Sequence, residues 1–211
     1  EIMTEFLPDD QELFASQLKD FVPPDSFDAH AHLYRPQDAI SALPPAAENE
    51  QGFSGWNEYC QNLELWMGSL RPSAGLFFAI PKPTLDRKPA NQFILSELAD
   101  QPGCRALLLV TPEDSPEEVE AQILAGKYSG FKVYHVYANR KDTLQAEPQE
   151  YIPEWVWELS NRYSLAIMLH MVRARAMADP INQSYIREHC LQYPDAKLIL
   201  AHAARGFCGN H

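Results

Sequence analysis

Six short apolar runs recur along the chain, each followed by a polar loop and then a helical pattern. The runs are Ser26–His30, Gly75–Ile80, Arg105–Val110, Gly130–Val136, Leu165–Val172 and Lys197–Ala203. They read as continuous apolar stretches rather than as alternating ones, the pattern of strands buried on both faces. Between them lie helical signals. One spans about residues 89–99. A second opens at Ser115-Pro116-Glu117-Glu118, with a Ser cap and Pro at the first helical position, places Val119 and Ile123 on one face, and stops at Gly126. A third covers about residues 154–163, with Trp155 and Leu159 four apart. A fourth starts near Pro180 and is expected to bury Ile186 and Cys190 together. Strict alternation of this kind predicts an α/β fold with parallel strands and crossover helices. A doubly wound open sheet and a (β/α)8 barrel cut short both satisfy it.

Composition narrows the classes. At 45% hydrophobic the chain is too apolar for a disordered tail. Seventeen basic against 29 acidic residues give a formal charge of −12, with no Lys/Arg stripe, which argues against nucleic acid and anionic membranes as partners. No apolar run approaches the roughly twenty residues that span a bilayer, and the first residues lack the pattern of a secretory signal. Cys60, Cys104, Cys190 and Cys208 include no close pair. A reduced, cytoplasmic protein is the expectation. In that setting the Asn182-Gln183-Ser184 triplet is read as a chance sequon. The whole of 1–211 is expected to be one barrel-type domain, incomplete at its carboxyl end. Residues 33–72, rich in Pro, Gly and aromatics, are expected to be an insertion after the first strand.

The polar residues fall where such folds do chemistry. Asp28-Ala29-His30-Ala31-His32 closes the first run, Lys132 lies in the fourth, His170 closes the fifth and His202 the sixth. Carboxyl ends of parallel strands carry the active site in either architecture. Strand alternation turns His30 and His32 to one side, so the pair can grip one cation, and imidazole suits zinc and similar ions. An ammonium inside an apolar run is costly. Lys132 therefore fits beside a carboxylate, as a carboxylated amine acting as an anionic ligand, or as a side chain that snorkels to the strand end. Tyr134 shares the parity of Lys132 and has a hydroxyl to offer a carbonyl oxygen. His135 has the opposite parity and is expected outward or in the loop. His189, in a helix, reads as a packing or surface residue. Arg173, Arg175 and Arg205 follow the last two strand ends, as binders of a substrate carboxylate or as solvated loop charges. Trp56, Tyr59 and Trp66 either wall the site or pack the insertion down.

This ordered set, Asp-x-His-x-His on the first strand, Lys in Gly-Phe-Lys-Val-Tyr on the fourth, and His ending the fifth and sixth, resembles the amidohydrolase superfamily. Within it, the set looks like the amidohydrolase-related (amidohydrolase 2) group of metal-dependent TIM-barrel hydrolases, from about Phe27 to Gly206. The resemblance implies a (β/α)8 TIM barrel of which this chain carries about the first six βα units. It implies one or two divalent ions, zinc foremost, with His30 and His32 on the first, His170 and His202 on the second, and a carboxylated Lys132 bridging them. A metal-activated water would attack a small amide, ester or lactone. Nonoxidative decarboxylation or sugar-acid isomerisation on the same ligands, and a metal-binding barrel fragment without turnover, are the alternatives. The family's general acid/base Asp ends the eighth strand and is expected beyond His211. A small-molecule substrate, carboxylate-bearing if the arginines serve it, and a homodimer through the aromatic insertion complete these expectations.

Overall fold

The computed structural model describes residues 8–39 and 52–205. A short helix, α1 (Pro8–Leu13), runs into a π-helical turn, Phe14–Leu18, before the first strand, β1 (Phe27–His32). Then follow α2 (Trp56–Met67), β2 (Ala74–Phe78), α3 (Arg87–Glu97), β3 (Arg105–Ala106) and β4 (Leu108–Leu109). After these come α4 (Pro116–Leu124), β5 (Gly130–Val133), α5 (Glu154–Tyr163), β6 (Ala166–Leu169), α6 (Pro180–Gln192) and β7 (Lys197–Leu200). Every predicted apolar run coincides with strand, β1 running two residues past the first run, and all the strand pairings are parallel.

The chain forms two compact units, one of 1–80 with 84–106 and one of 81–83 with 107–211. The first holds a sheet of order β1-β2-β3, the second a sheet of order β4-β5-β6-β7. The third apolar run is divided between them: β3 pairs with β2, β4 pairs with β5, and the intervening Leu107 is fully buried. In the first unit Leu33, Phe77, Phe78 and Ile94 form the core. In the second, Leu109, Phe131, Val133, Trp157 and all of Ile167-Met168-Leu169 are sealed from solvent. Burial on both faces holds for β2, β4, β5 and β6. It does not hold for β1 and β7, which keep partly exposed positions.

The helix signals behave as local chemistry dictates. The Ser115 hydroxyl accepts from the Glu118 amide at 3.3 Å, Val119 and Ile123 are buried, and Gly126 takes a left-handed φ of 70°. In α6 the expectation fails at one place: Ile186 is buried but Cys190 is exposed. The inward stripe runs through Asn182, Tyr185, Ile186 and His189, led by a polar residue. Asn182 is buried because its amide donates to the carbonyls of Val172 and Ala176. A stripe led by Asn has no apolar signature, and Cys190 sits one position off it. The same burial keeps the Asn182 sequon from any glycan. Among the described residues no helix is long and apolar enough to cross a membrane.

Gly130 opens β5 with φ 155°, and a Cβ there would lie 2.1 Å from the carbonyl oxygen of Ala166 on β6. The clash is with backbone inside a parallel pair and cannot be relieved by a rotamer change. Gly130→Ala is expected to cost about 2 kcal/mol or more, read as a lower urea midpoint with an unchanged slope.

Candidate functional site

The first unit builds its part of the site on a bulge. In β1 Asp28 is level with Gly75 and Ala31 with Phe77, so Ala29 and His30 together face the single residue Leu76. The extra residue is held locally. The His30 amide donates to Asp28 Oδ1 at 2.9 Å, and the other carboxylate oxygen accepts from the Tyr59 hydroxyl at 2.9 Å. Beyond the bulge His30 and His32 converge, their Nε2 atoms 3.3 Å apart. Phe78, at the end of β2, presents its ring to both imidazoles, with centroids at 4.9 and 4.6 Å. The aromatics of residues 33–72 pack: Trp56 and Tyr59 stand edge-on to Phe77, and Trp66 to Phe14.

In the second unit Lys132 lies at the centre of β5 and is fully buried. Burial pushes its amine down from 10.5 to about 7. Its Nζ lies 5.4 Å from the centroid of Tyr134. The Tyr134 ring in turn contacts His170, just past β6, at 4.5 Å, and His170 meets His202 edge-on at 4.8 Å. His202 is exposed, two residues beyond β7. Its φ is 128°, and Ala203 and Ala204 follow at 30° and 52°. Positive φ at three successive residues with side chains is sterically costly, and such strain gathers at ligand-binding turns.

His135 is expected outward or in the loop. It does lie in the loop, in a 3₁₀ turn from His135 to Tyr137, yet it is buried, with its ring 5.6 Å from that of His170. Its Nδ1 lies 3.0 Å from the Thr143 carbonyl oxygen, which can only accept, so Nδ1 carries the proton. Nε2 is therefore the basic nitrogen. The strand ends at Val133 and Tyr134 is still extended, so strand alternation lapses at the 3₁₀ turn that His135 opens.

The arginines divide. Arg173 is committed inside the protein: its Nε donates to Asp179 at 2.9 Å, and Nη1 reaches the Gln145 carbonyl at 3.4 Å and Glu147 at 3.8 Å. Arg175 is exposed, and the side chain of Arg205 falls outside the described residues. His189 packs as expected, stacked on Tyr185 at 3.8 Å with Nε2 3.3 Å from Glu154. Among the described residues no group of three or more His, Cys, Asp or Glu side chains is gathered as a metal cage.

No protein-family model matches the sequence, and no curated protein does. Solved structures do. An amidohydrolase II matches with a TM-score of 0.53 at 14% identity, over 84% of this chain and 67% of its own. The chain is built on the TIM-barrel fold. It carries about the first six βα units of that fold, and at this identity the likeness is one of fold. A dihydroorotase from Campylobacter jejuni matches more loosely, with a TM-score of 0.44 at 14% identity over 82% of this chain and 46% of its own. The TIM-barrel assignment decides between the two architectures left open by the sequence; within their own units the His30/His32 pair ends β1 and His170 follows β6.

Burial of Lys132 makes stability depend on pH. The unfolded chain holds the lysine proton up to 10.5, the folded chain only to about 7. Between those values the unfolded state binds more protons, so stability rises with pH across the window, and the full penalty applies below 7. In buffer purged of carbon dioxide, Lys132→Met is expected to exceed the wild type in urea midpoint at pH 7, with the gap closing towards pH 10. A constant gap would contradict the buried cation.

Proposed function

We propose that this protein is a metal-dependent hydrolase of a small amide, ester or lactone. The observation that carries the reading is the 3.3 Å between the Nε2 atoms of His30 and His32. Two nitrogens each bound to a tetrahedral zinc at about 2.0–2.1 Å lie about 3.3–3.4 Å apart. The spacing of the pair therefore matches that of two imidazoles on one ion. Within the second unit, His170 and His202 would offer imidazoles to a cation held there, and Lys132 an anionic ligand once carboxylated. When bound, the ion polarises the scissile carbonyl and acidifies a water.

The chain's own residues do the rest. At a pKa near 7 a large share of Lys132 is the free amine. Its nitrogen lone pair adds to carbon dioxide, forming an N–C bond and releasing one proton to solvent. The product is an anionic carbamate, which offers oxygen to a cation where the ammonium would repel it. Tyr134, against His170, donates its hydroxyl to the substrate carbonyl oxygen. His135, with Nδ1 fixed as a donor, presents Nε2 as a base for the leaving group's proton traffic. The commitment of Arg173 to Asp179 leaves Arg175 as the described arginine able to meet a substrate carboxylate.

Elemental analysis of the protein purified without added metal tests the reading. One to two equivalents of zinc or a similar ion per chain are expected, with hydrolysis of members of an amide, ester and lactone panel. Replacing His30 and His32 together by Ala should remove at least one equivalent while leaving the far-ultraviolet circular dichroism unchanged. A wild-type protein that neither carries nor takes up metal, or a double variant that keeps its full content, would overturn it.

A further inference from the structure

The bulge that aims His30 is fastened from outside the strand, by Tyr59 on α2. Asp28 is the intermediary. One carboxylate oxygen takes the His30 amide proton and the other takes the Tyr59 hydroxyl proton, both at 2.9 Å. A carboxylate on a strand can rotate about its side-chain torsions, and its bond to the His30 amide lasts only while that rotation is stopped. The Tyr59 hydroxyl stops it. Burial foremost, and then the Asp28 carboxylate, hold that hydroxyl well above its usual pKa, so it remains a donor. The tyrosine ring is itself immobilised edge-on to Phe77 at 5.0 Å, and Phe77 is fully buried on β2. Close approach on the far side of Asp28 completes the clamp: a Cβ on Gly75 would lie 2.8 Å from the Asp28 carbonyl oxygen.

We infer that Tyr59, acting through Asp28, is a positioning residue for the His30–His32 pair. The chain Tyr59–Asp28–His30 amide fixes the bulge, and the bulge sets the 3.3 Å between the two Nε2 atoms. The helix α2 thereby serves the site through one phenol, as a brace for the first strand. The inference rests on the metal reading given above. Neither residue touches the ion or the substrate. Their effect is on how well two imidazoles are preorganised, and outer partners of this sort typically change metal affinity by about 10–100-fold.

Tyr59→Phe tests it on the full-length protein, because the ring packing against Phe77 is retained and only the hydroxyl is lost. Two measurements are made. The first needs no metal: hydrogen exchange of the His30 amide in the apoprotein, expected to be at least several-fold faster in the variant. The second is cobalt affinity by titration of the metal-stripped protein, expected to weaken about tenfold or more, while the thermal midpoint of the apoprotein moves little. Asp28→Asn is the conservative partner. Its amide keeps an oxygen for the His30 amide and offers a proton to the Tyr59 oxygen, so both readouts should stay near wild type, whereas Asp28→Ala should lose both. A Tyr59→Phe protein with wild-type exchange at His30 and wild-type cobalt affinity would overturn the inference. Wild-type protein that binds no cobalt would sink the proposed function alone, and the exchange measurement would then still decide whether Tyr59 holds the bulge.

Discussion

A parallel strand buried on both faces has one place for working polar groups, its carboxyl end, and the structure is organised around that restriction. β5 and β6 are closed to solvent along nearly their whole length. Their backbone donors and acceptors are spent on the ladder. Chemistry has to wait for the turn that follows, which is where Tyr134, His135 and His170 stand. Lys132 breaks the rule, being polar in mid-strand and wholly buried. The exception is informative because it is expensive. Holding an ammonium there opposes folding, and the amine answers by losing its proton readily.

The first unit meets the same restriction differently. β1 is partly exposed, so it can afford an irregular register, and the bulge at Ala29–His30 converts simple alternation into convergence. Two residues apart on a flat strand would have put both imidazoles on one side. The bulge, with Phe78 behind the rings, brings the two Nε2 atoms to ligand spacing. Asp28, bonded to the His30 amide and to Tyr59, ties that bulge to a helix that reads, in sequence, as part of an aromatic insertion.

Much of this was legible in the sequence, and the reason is that it is local. Apolar runs locate strands because burial on both faces leaves no alternation to misread. The Ser115 cap and Gly126 stop delimit α4 by hydrogen bonds within a few residues. What escaped was non-local. No pattern in 27–32 announces a bulge, since a bulge is a relation between β1 and the register of β2. Cys190 was misplaced because the buried stripe of α6 is led by Asn182, whose burial depends on two carbonyls six and ten residues upstream. The division of the third run at Leu107 is likewise a matter of which neighbour each half pairs with, which its own residues do not state.

His135 shows how a sound rule fails at its boundary. Alternation assigns faces only while the chain stays extended, and that ends after Tyr134, where the 3₁₀ turn begins. Past that point the 3₁₀ turn brings the ring back against His170, and the Thr143 carbonyl fixes its tautomer. The sequence run Lys132-Val133-Tyr134-His135 thus delivers two residues to the strand and two to the end of it. Strained backbone does comparable work at the last strand. His202, Ala203 and Ala204 turn through positive φ with no glycine among them. Glycine adopts such angles freely, so side chains there are held against a steric cost. The turn sets the His202 imidazole edge-on to His170.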